Sequence, residues 1–166
     1  MQGWMKNRAW VLLVGVAFIV ADQLVKLLAL AALQTQSFKF GNDPVNLALA
    51  LSLNPGAFLS VGAALPPLVK QLIFIIGVAV VVGWAGYWAL KHWPTATGKA
   101  LAVYAIALGG AGNLIDRVFR DGHVVDYLII NVGAAHTGVF NLADIAITAG
   151  ALALAWDMFA SPKAQK

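Results

Sequence analysis

Four long apolar runs and two mixed loops make up most of the 166-residue chain. The runs cover about residues 9–33, 68–90, 100–119 and 140–160, and the loops cover 34–67 and 120–139. A helix rises 1.5 Å per residue, so about twenty apolar residues cross the roughly 30 Å hydrocarbon core of a bilayer. The pattern predicts an all-α membrane protein with four transmembrane helices, organised as a single four-span domain over residues 1–166.

Each mixed loop holds a short stretch that is typical of a β-strand. Asn46–Leu53 is apolar but only eight residues long, which is too short to span a membrane. Val124–Ile130 is rich in β-branched residues. We therefore expect a small β-element formed by the two loops.

The composition supports a membrane protein: 61% of the residues are hydrophobic and 11% are charged. A soluble domain averages roughly 45–50% apolar and 25% charged residues. The net charge of +4 does not indicate nucleic-acid binding, because the basic residues cluster at the ends of the apolar runs. The chain has no cysteine, which excludes disulfides and thiolate metal sites.

Four crossings place both termini on one side of the membrane. That side carries Lys6, Arg8, Lys91, Lys99, Lys163 and Lys166. The positive-inside rule then predicts cytoplasmic termini, with both mixed loops on the outer face. A cleavable signal peptide using Trp10–Ala21 is the alternative for the first run, but the whole run is long enough to span.

Asp22 and Lys26 lie four residues apart inside the first apolar run, so they share one helix face. Pairing lowers the cost of holding both charges in a membrane. A structural ion pair is favoured here over a catalytic role.

A run of small residues, Gly109–Gly112, precedes a polar cluster at the end of the third apolar run. It lacks the strand and the Lys-Ser/Thr of a phosphate-binding loop, so close helix packing is the better interpretation. The polar cluster that follows contains Asn113, Asp116 and Arg117. It is equally consistent with a functional site and with an interfacial charge cluster.

Asp126 and Asp144 are the candidates for acid–base chemistry. The chain has seven Asp and no Glu, and Asp144 stands near the start of the last apolar run. Neighbouring antiparallel segments usually pack together, so the two carboxylates could meet and share one proton. The ionised member would then activate water while the protonated member polarises a carbonyl, with no cofactor. Spacing alone slightly favours the alternative, in which Asp144 caps a helix and Asp126 lies in a loop.

Other hydrolytic chemistries find little support in the sequence. Without Glu there is no His-Glu-x-x-His zinc motif, and no serine lies deep in an apolar run. His123 and His136 could join Asp126 and Asp144 around a metal, but histidines in exposed loops are usually solvated. We therefore expect no metal.

Five blocks in order resemble the bacterial lipoprotein signal peptidase (signal peptidase II) family. They are Asp22-Gln23-Leu24-Val25-Lys26, Asn54-Pro55-Gly56-Ala57, Gly109-Gly110-Ala111-Gly112-Asn113-Leu114-Ile115-Asp116-Arg117, Val124-Val125-Asp126-Tyr127 and Phe140-Asn141-Leu142-Ala143-Asp144. The Gly-Gly-x-x-Asn-x-x-Asp-Arg block followed by Asn-x-Ala-Asp is the specific part of this pattern, and the resemblance covers nearly the whole chain.

The resemblance implies an aspartic endopeptidase of the bacterial inner membrane. Its substrates would be diacylglyceryl-modified prolipoproteins, cleaved just before the lipidated cysteine, and globomycin-type peptides would inhibit it. Asp126 and Asp144 would be the catalytic pair. By the same resemblance, the substrate would be bound by Asn54, Gly56, Asn113, Arg117 and Asn141, with Asp22, Lys26 and Asp116 in support. The family also implies an extracytoplasmic β-cradle and a small surface helix in loop 34–67.

Three departures from the family pattern leave the aspartates untouched but indicate an altered substrate range. Phe58-Leu59 stand where the family usually has Ala-Phe, and Tyr127 stands where Phe is common. Gly138-Val139 replace an aromatic-Pro pair. The alternative to an enzyme is a non-catalytic transporter subunit or lipoprotein-binding factor. Such a protein would use Asp22, Lys26 and Arg117 as a charge relay among membrane lipids.

Overall fold

The structure, a computed structural model, describes residues 8–56 and 62–160. Four helices in these residues are long and apolar enough to cross a membrane. They are Ala9–Ala32, Pro67–His92, Thr97–Phe119 and Leu142–Ala160. The prediction of four long apolar helices is confirmed, and the chain is a multi-pass membrane protein.

The helices are α1 (Arg8–Ala32), α2 (Pro67–Gln71), α3 (Val78–His92), α4 (Thr97–Phe119) and α5 (Leu142–Ala160). A π-helical segment, Leu72–Gly77, joins α2 to α3, so the three form one continuous crossing. His92 ends α3, with its ring Nδ1 2.9 Å from the Trp88 carbonyl oxygen.

Burial in this bundle is inverted relative to a soluble protein. Leu28, Trp156 and Phe159 are 67%, 75% and 88% exposed, whereas Asp22 and Lys26 are fully buried. Lipid tails cover apolar side chains as well as another helix would, but charges inside a membrane need partners. The apolar residues therefore point outward and the charges point into the bundle.

Both mixed loops contribute to one antiparallel sheet at one end of the bundle. Its strands, in chain order and in spatial order, are β1 (Phe38–Asn42), β2 (Val45–Asn54), β3 (Val124–Val132) and β4 (Ala135–His136). Strands β2 and β3 contain the two stretches that the sequence predicts. Their pairing, with Ser52 opposite Asp126 and Asn54 opposite Val124, brings the two loops together. The predicted β-element is confirmed.

Two apolar clusters hold the bundle at opposite ends of α1. At the sheet end, Ala29 and Leu33 pack against Val125 and Tyr127 of β3, which ties the sheet to the helices. The other cluster consists of Val11, Ala89, Trp93, Ala100 and Tyr104, and the Tyr104 hydroxyl donates to the Val11 carbonyl at 3.2 Å. The first cluster fixes β3, and with it Asp126, relative to α1.

The glycines of α4 allow its neighbours to approach closely. A Cβ on Gly112 would lie 2.6 Å from a carboxylate oxygen of Asp22, and one on Gly109 would collide with the Ala143 carbonyl. No side chain fits at either position. The expectation of close helix packing at these small residues is confirmed, and α4 thereby lies between α1 and α5.

The part of loop 34–67 outside the sheet bears on the family resemblance. Its described residues after β2, 55–56 and 62–66, form bends and turns and do not contain the expected surface helix. Phe58 and Leu59, on which the expectation of an altered substrate range partly rests, lie outside the described residues. That expectation stays a prediction.

Candidate active site

Asp126 and Asp144 line one cavity of 630 Å³ at the sheet end of the bundle. Asp126 lies on β3, and Asp144 lies in the first turn of α5. The cavity continues between α3, α4 and α5, where its walls are largely apolar and include Val78, Ile147 and Ala155. A polar end with two carboxylates therefore opens into an apolar cleft between spans.

Asn141 connects the two aspartates. Its side-chain Nδ2 donates to Asp126 Oδ1 at 2.7 Å, and its Oδ1 accepts the Asp144 backbone N–H at 3.0 Å. The Asn141 backbone N–H donates to Asp144 Oδ2 at 3.1 Å. This reciprocal pair resembles a capping box at the start of α5. Asp144 thus caps a helix, as the simpler interpretation of the sequence expected, and also lines the cavity with Asp126.

The remaining partners of the two carboxylates are neutral amides. Asn54 of β2 donates to Asp126 Oδ2 at 3.0 Å. Asn113 of α4 donates to Asp144 Oδ1 at 2.8 Å and accepts from Asn141 at 3.1 Å. Three asparagines from three separate parts of the chain therefore hold the carboxylates, and no cation among the described residues forms a salt bridge with either acid.

Burial raises the pKa of Asp126 from its ordinary value of 3.8 to about 6. The side chain is only 2% exposed, so little water remains to solvate its charge. The hydrogen bond from Asn54 lowers the pKa, and the negative charge of Asp144 raises it again. Asp126 can therefore hold a proton close to neutral pH, as a general acid requires.

Lys26 lies at the centre of a second, fully buried group of charges. Its Nζ is 2.9 Å from Asp22 and 3.0 Å from Asp116, and all three side chains have no exposure. Lys26 also donates to Asn113 Oδ1 at 2.9 Å. The ion pair expected from the spacing of Asp22 and Lys26 is present, and Asp116 joins it from α4.

The two acids in this group hold the backbone next to the candidate catalytic residues. Asp22 Oδ1 accepts the N–H of Ala143 at 3.1 Å, one residue before Asp144. Asp116 Oδ2 accepts the N–H of Val125 at 3.0 Å, one residue before Asp126. The same lysine therefore pairs with two carboxylates that each fix the backbone on one side of the candidate active site.

Gln23 and Arg120 belong to this network, although we assigned them no role from the sequence. Gln23 Nε2 donates to the Gly112 carbonyl at 3.1 Å and to Asp116 Oδ1 at 3.0 Å. Arg120 contacts Asp116 and donates to Gln23 Oε1. The four-residue spacing of Asp116 and Arg120 is the signal that could have identified the arginine.

Arg117 and Gly56 bond to each other at the polar end of the cavity. The Arg117 Nη2 donates to the Gly56 carbonyl at 2.6 Å, and its guanidinium lies 5.5 Å from the centre of the Phe74 ring. The Gly56 N–H in turn donates to Asn54 Oδ1 at 2.9 Å. The Nε of Arg117 is buried and has no hydrogen-bond partner among the described residues. Of the residues expected to bind substrate, Asn54, Asn113 and Arg117 line the cavity, whereas Gly56 and Asn141 lie behind it.

Tyr127 and His136 are two further residues that the sequence analysis singled out near the site. The Tyr127 hydroxyl accepts the N–H of Leu142 at 3.3 Å, so it caps α5 in a way that a phenylalanine could not. Burial raises the pKa of Tyr127 to about 12, which keeps it neutral. His136 is exposed on β4. No three His, Cys, Asp or Glu side chains within residues 8–56 and 62–160 are grouped so that they could hold a metal ion.

The amino-acid sequence matches the family model described as "Signal peptidase (SPase) II" over residues 14–160. The chain belongs to the signal peptidase II family. Its family membership identifies it as a protease. A lipoprotein signal peptidase of Pseudomonas putida is 38% identical over 162 residues, which cover 95% of this chain and 90% of the relative. One from Cupriavidus taiwanensis is 38% identical over 146 residues, or 84% and 76% of the two chains.

Two solved structures resemble this member of the signal peptidase II family over most of its length. Both are bacterial membrane enzymes determined by the in meso method, at 2.3 and 1.9 Å resolution. The first superimposes with a TM-score of 0.71 at 25% identity and covers 93% of this chain and 90% of its own. The second has a TM-score of 0.67 at 26% identity and covers 93% of both chains.

Proposed function

We propose that this protease is an aspartic endopeptidase that removes signal peptides from prolipoproteins, with Asp126 and Asp144 as its catalytic pair. The observation that carries the proposal is that both carboxylates line one cavity and are joined through Asn141. The relatives named lipoprotein signal peptidase support the substrate class.

The proposed reaction uses one proton shared by the pair. In the reactive form of the enzyme Asp126 carries the proton, which its raised pKa keeps accessible near neutral pH, and Asp144 is ionised. Asp144 takes a proton from a water molecule as the water oxygen bonds to the scissile carbonyl carbon, and Asp126 gives its proton to the carbonyl oxygen. When this tetrahedral intermediate collapses, the C–N bond breaks and the amine nitrogen takes the proton that Asp144 received from water. One hydroxyl of the intermediate returns its proton to Asp126 as the carboxylic acid forms. The pair then holds one proton again.

The surrounding residues take two kinds of role in this proposal. Asn54, Asn113 and Arg117 face the cavity and are placed to contact the substrate. Gly56 and Asn141 position those side chains from behind. Asp22, Lys26 and Asp116 are positioning residues, because they hold Asn113 and the backbone beside each catalytic aspartate.

The resemblance and the apolar cleft together define the proposed substrate more closely. The cleft between α3, α4 and α5 has room for apolar chains that enter from the membrane. This agrees with cleavage before a diacylglyceryl-modified cysteine, and with inhibition by globomycin-type peptides. We place the protein in the bacterial inner membrane with both termini in the cytoplasm, so that the sheet end lies outside.

A charge relay in a non-catalytic membrane protein is not favoured. Lys26 is committed to two carboxylates and Asn113, and Arg117 is committed to backbone carbonyls of Gly56 and Asn113. Such a closed network leaves the charges little freedom to move, and membership of a protease family argues for the enzyme.

The test of the proposal is cleavage of a lipidated prolipoprotein by purified variants. Asp126→Asn and Asp144→Asn should each abolish cleavage. Asp157→Asn, which changes a half-exposed acid paired with Lys99 at the other end of α5, should leave cleavage unchanged. Activity should survive prolonged treatment with EDTA and phenanthroline, since the mechanism uses no metal. Normal turnover in either active-site variant would remove that residue from the catalytic pair.

The proposed orientation has a separate test, because the chain contains no cysteine. Single cysteines at the exposed positions Gln36 and Ala134 should react with an impermeant thiol reagent in spheroplasts, and one at Thr95 should not. Labelling of Thr95 alone would place the active site on the cytoplasmic side.

A further inference from the structure

A second cavity lies beside the active-site cavity. It has a volume of 370 Å³ and includes Lys70, Gln71, Asp121 and His123 in its lining. Arg117 and Phe74 line both cavities. We call the second one the outer cavity, because it lies at the sheet-end termini of the second and third crossings and at the turn that follows α4.

The two cavities differ in position and polarity, and the two products of the proposed reaction differ in the same two properties. The active-site cavity runs between spans and reaches Ala155, more than halfway along α5. The outer cavity lies near the ends of helices and does not extend along the bundle, and its lining mixes charged and polar side chains with apolar ones such as Pro67 and Ile75. A signal peptide is apolar and remains in the membrane, whereas the chain that follows the cleavage site is exported and polar. The outer cavity therefore suits the second product.

The charges in the outer cavity favour an anion. Lys70 and Arg117 are cations, and among the described residues that line the cavity Asp121 is the only acid. The Lys70 ammonium donates to the neutral Ala63 carbonyl at 3.1 Å. Arg117 is 8% exposed and keeps a buried Nε without a hydrogen-bond partner. Lys70 and Arg117 therefore give the cavity two positive charges against the one negative charge of Asp121.

We propose that the outer cavity binds the first residues of the polypeptide that follow the lipidated cysteine, and that Lys70 and Arg117 make it prefer acidic side chains there. The inference rests on the proposed function, because it assumes a peptide cleaved in the neighbouring cavity. Lys70 and Asp121 set the strength of the preference with opposite signs, and they act on substrate choice rather than on the catalytic step.

The test uses one lipidated prolipoprotein with Asp, Ser or Lys at the second and third positions after the cleavage site. Wild-type protein should cleave the Asp substrate with a kcat/KM about fivefold higher than the Lys substrate, as expected for a partly exposed charge contact. Lys70→Gln should reduce this ratio to about one. Asp121→Asn should increase it, and asparagine tolerates the positive φ of 50° found at this residue. The ratio should shrink as ionic strength rises.

Lys39→Gln is the matched control. Lys39 lies on β1 at the same end of the molecule, pairs with Asp43 and does not line the outer cavity. Lys39→Gln removes one positive charge, as Lys70→Gln does, and should leave the ratio of kcat/KM between the Asp and Lys substrates unchanged. If Lys39→Gln changes the ratio as much as Lys70→Gln does, the preference reflects the general surface charge and the inference is wrong.

Two further outcomes would overturn the inference while leaving the proposed function intact. The first is an equal kcat/KM for the Asp and Lys substrates, which would show that the cavity does not discriminate between charges. The proposed function would still stand if the Ser substrate is cleaved and Asp126→Asn abolishes that cleavage. The second is a loss of kcat/KM in Lys70→Gln that is equal for all three substrates and occurs only when the assay contains anionic phospholipid. That result would assign the cavity to a lipid headgroup.

Discussion

Two pairs of aspartates lie side by side in this protein and have opposite surroundings. Asp22 and Asp116 have no exposure and share the cation Lys26. Asp126 and Asp144 receive hydrogen bonds from neutral asparagines and line a cavity. A buried carboxylate that is paired with a cation has its charge balanced in place, whereas one held only by neutral amides has no such counter-charge. The first pair is suited to structure and the second to proton transfer.

The two pairs are also physically connected, which makes the comparison informative. Asn113 accepts from Lys26 and donates to Asp144, so it lies between them. Asp22 and Asp116 also accept hydrogen bonds from the backbone N–H groups of Ala143 and Val125. Each of these N–H groups belongs to the residue just before Asp144 or Asp126. Substitutions in the first pair should act on folding, and those in the second on catalysis.

The largest effect that this comparison predicts is on the rate of the catalytic pair. Asp126→Asn and Asp144→Asn should each lower kcat by about four orders of magnitude, and the double variant should be no slower than either, because residues that act as a unit are non-additive. Thermal stability in detergent should be kept in all three, since no cation loses its partner. A double variant slower than both single variants by the product of their effects would show that the two acids work independently.

Lys26→Met should have the next largest effect, and on stability instead of rate. It leaves Asp22 and Asp116 buried without their shared cation, and breaking a buried ion pair costs about 3–5 kcal/mol. The measurement is the yield and thermal midpoint of the folded protein in detergent.

A second substitution sharpens this test. Lys26→Met combined with Asp22→Asn removes one negative charge together with the positive one, and Asp116 keeps its contact with Arg120. The double variant should regain part of the lost stability. If it is less stable than Lys26→Met alone, charge balance is not the reason for the burial of Lys26.

The sequence could predict the features of this site that depend on local pattern. The spans follow from the apolar runs, and β2 and β3 follow from short apolar stretches in polar surroundings. The Asp22–Lys26 pair follows from a four-residue spacing. The small residues before Asn113 indicated close packing, and Gly112 lies against Asp22.

The features that could not be predicted depend on contacts between distant segments. Asp116 joins Lys26 across 90 positions in the chain, and nothing in its own neighbourhood indicates complete burial. Strand β1 contains Lys39 and Gly41, which obscure an alternating pattern, and it forms because β2 offers a free edge. The π-helical turn at Leu72–Gly77 likewise has no known sequence signal, although it carries Phe74 to Arg117.

The third prediction concerns the pH dependence of cleavage and tests the proton on Asp126, a member of the amide-held pair. The pKa of Asp126 is raised to about 6, so its protonated form prevails below that pH and is lost above it. Because the mechanism needs this proton, kcat/KM should fall about tenfold per pH unit above pH 6. The measurement is kcat/KM on one lipidated peptide between pH 5 and 8. A profile that is flat across this range would show that Asp126 does not supply the proton.

The smallest predicted effect is a shift of that profile. Asn54 donates to Asp126 Oδ2 at 3.0 Å, and this bond lowers the pKa by stabilising the ionised form. Asn54→Ala should therefore raise the pKa of Asp126 and move the fall in kcat/KM upward by about one pH unit, or 1.4 kcal/mol. Asn46→Ala is the matched control, because Asn46 is a buried asparagine of the same strand that bonds to Asn131 and Asp43. It should leave the profile in place. A downward shift in Asn54→Ala, or an equal shift in both variants, would mean that the amide partners do not control the proton on Asp126. The contrast between amide-bound and cation-bound carboxylates would then lose its chemical meaning.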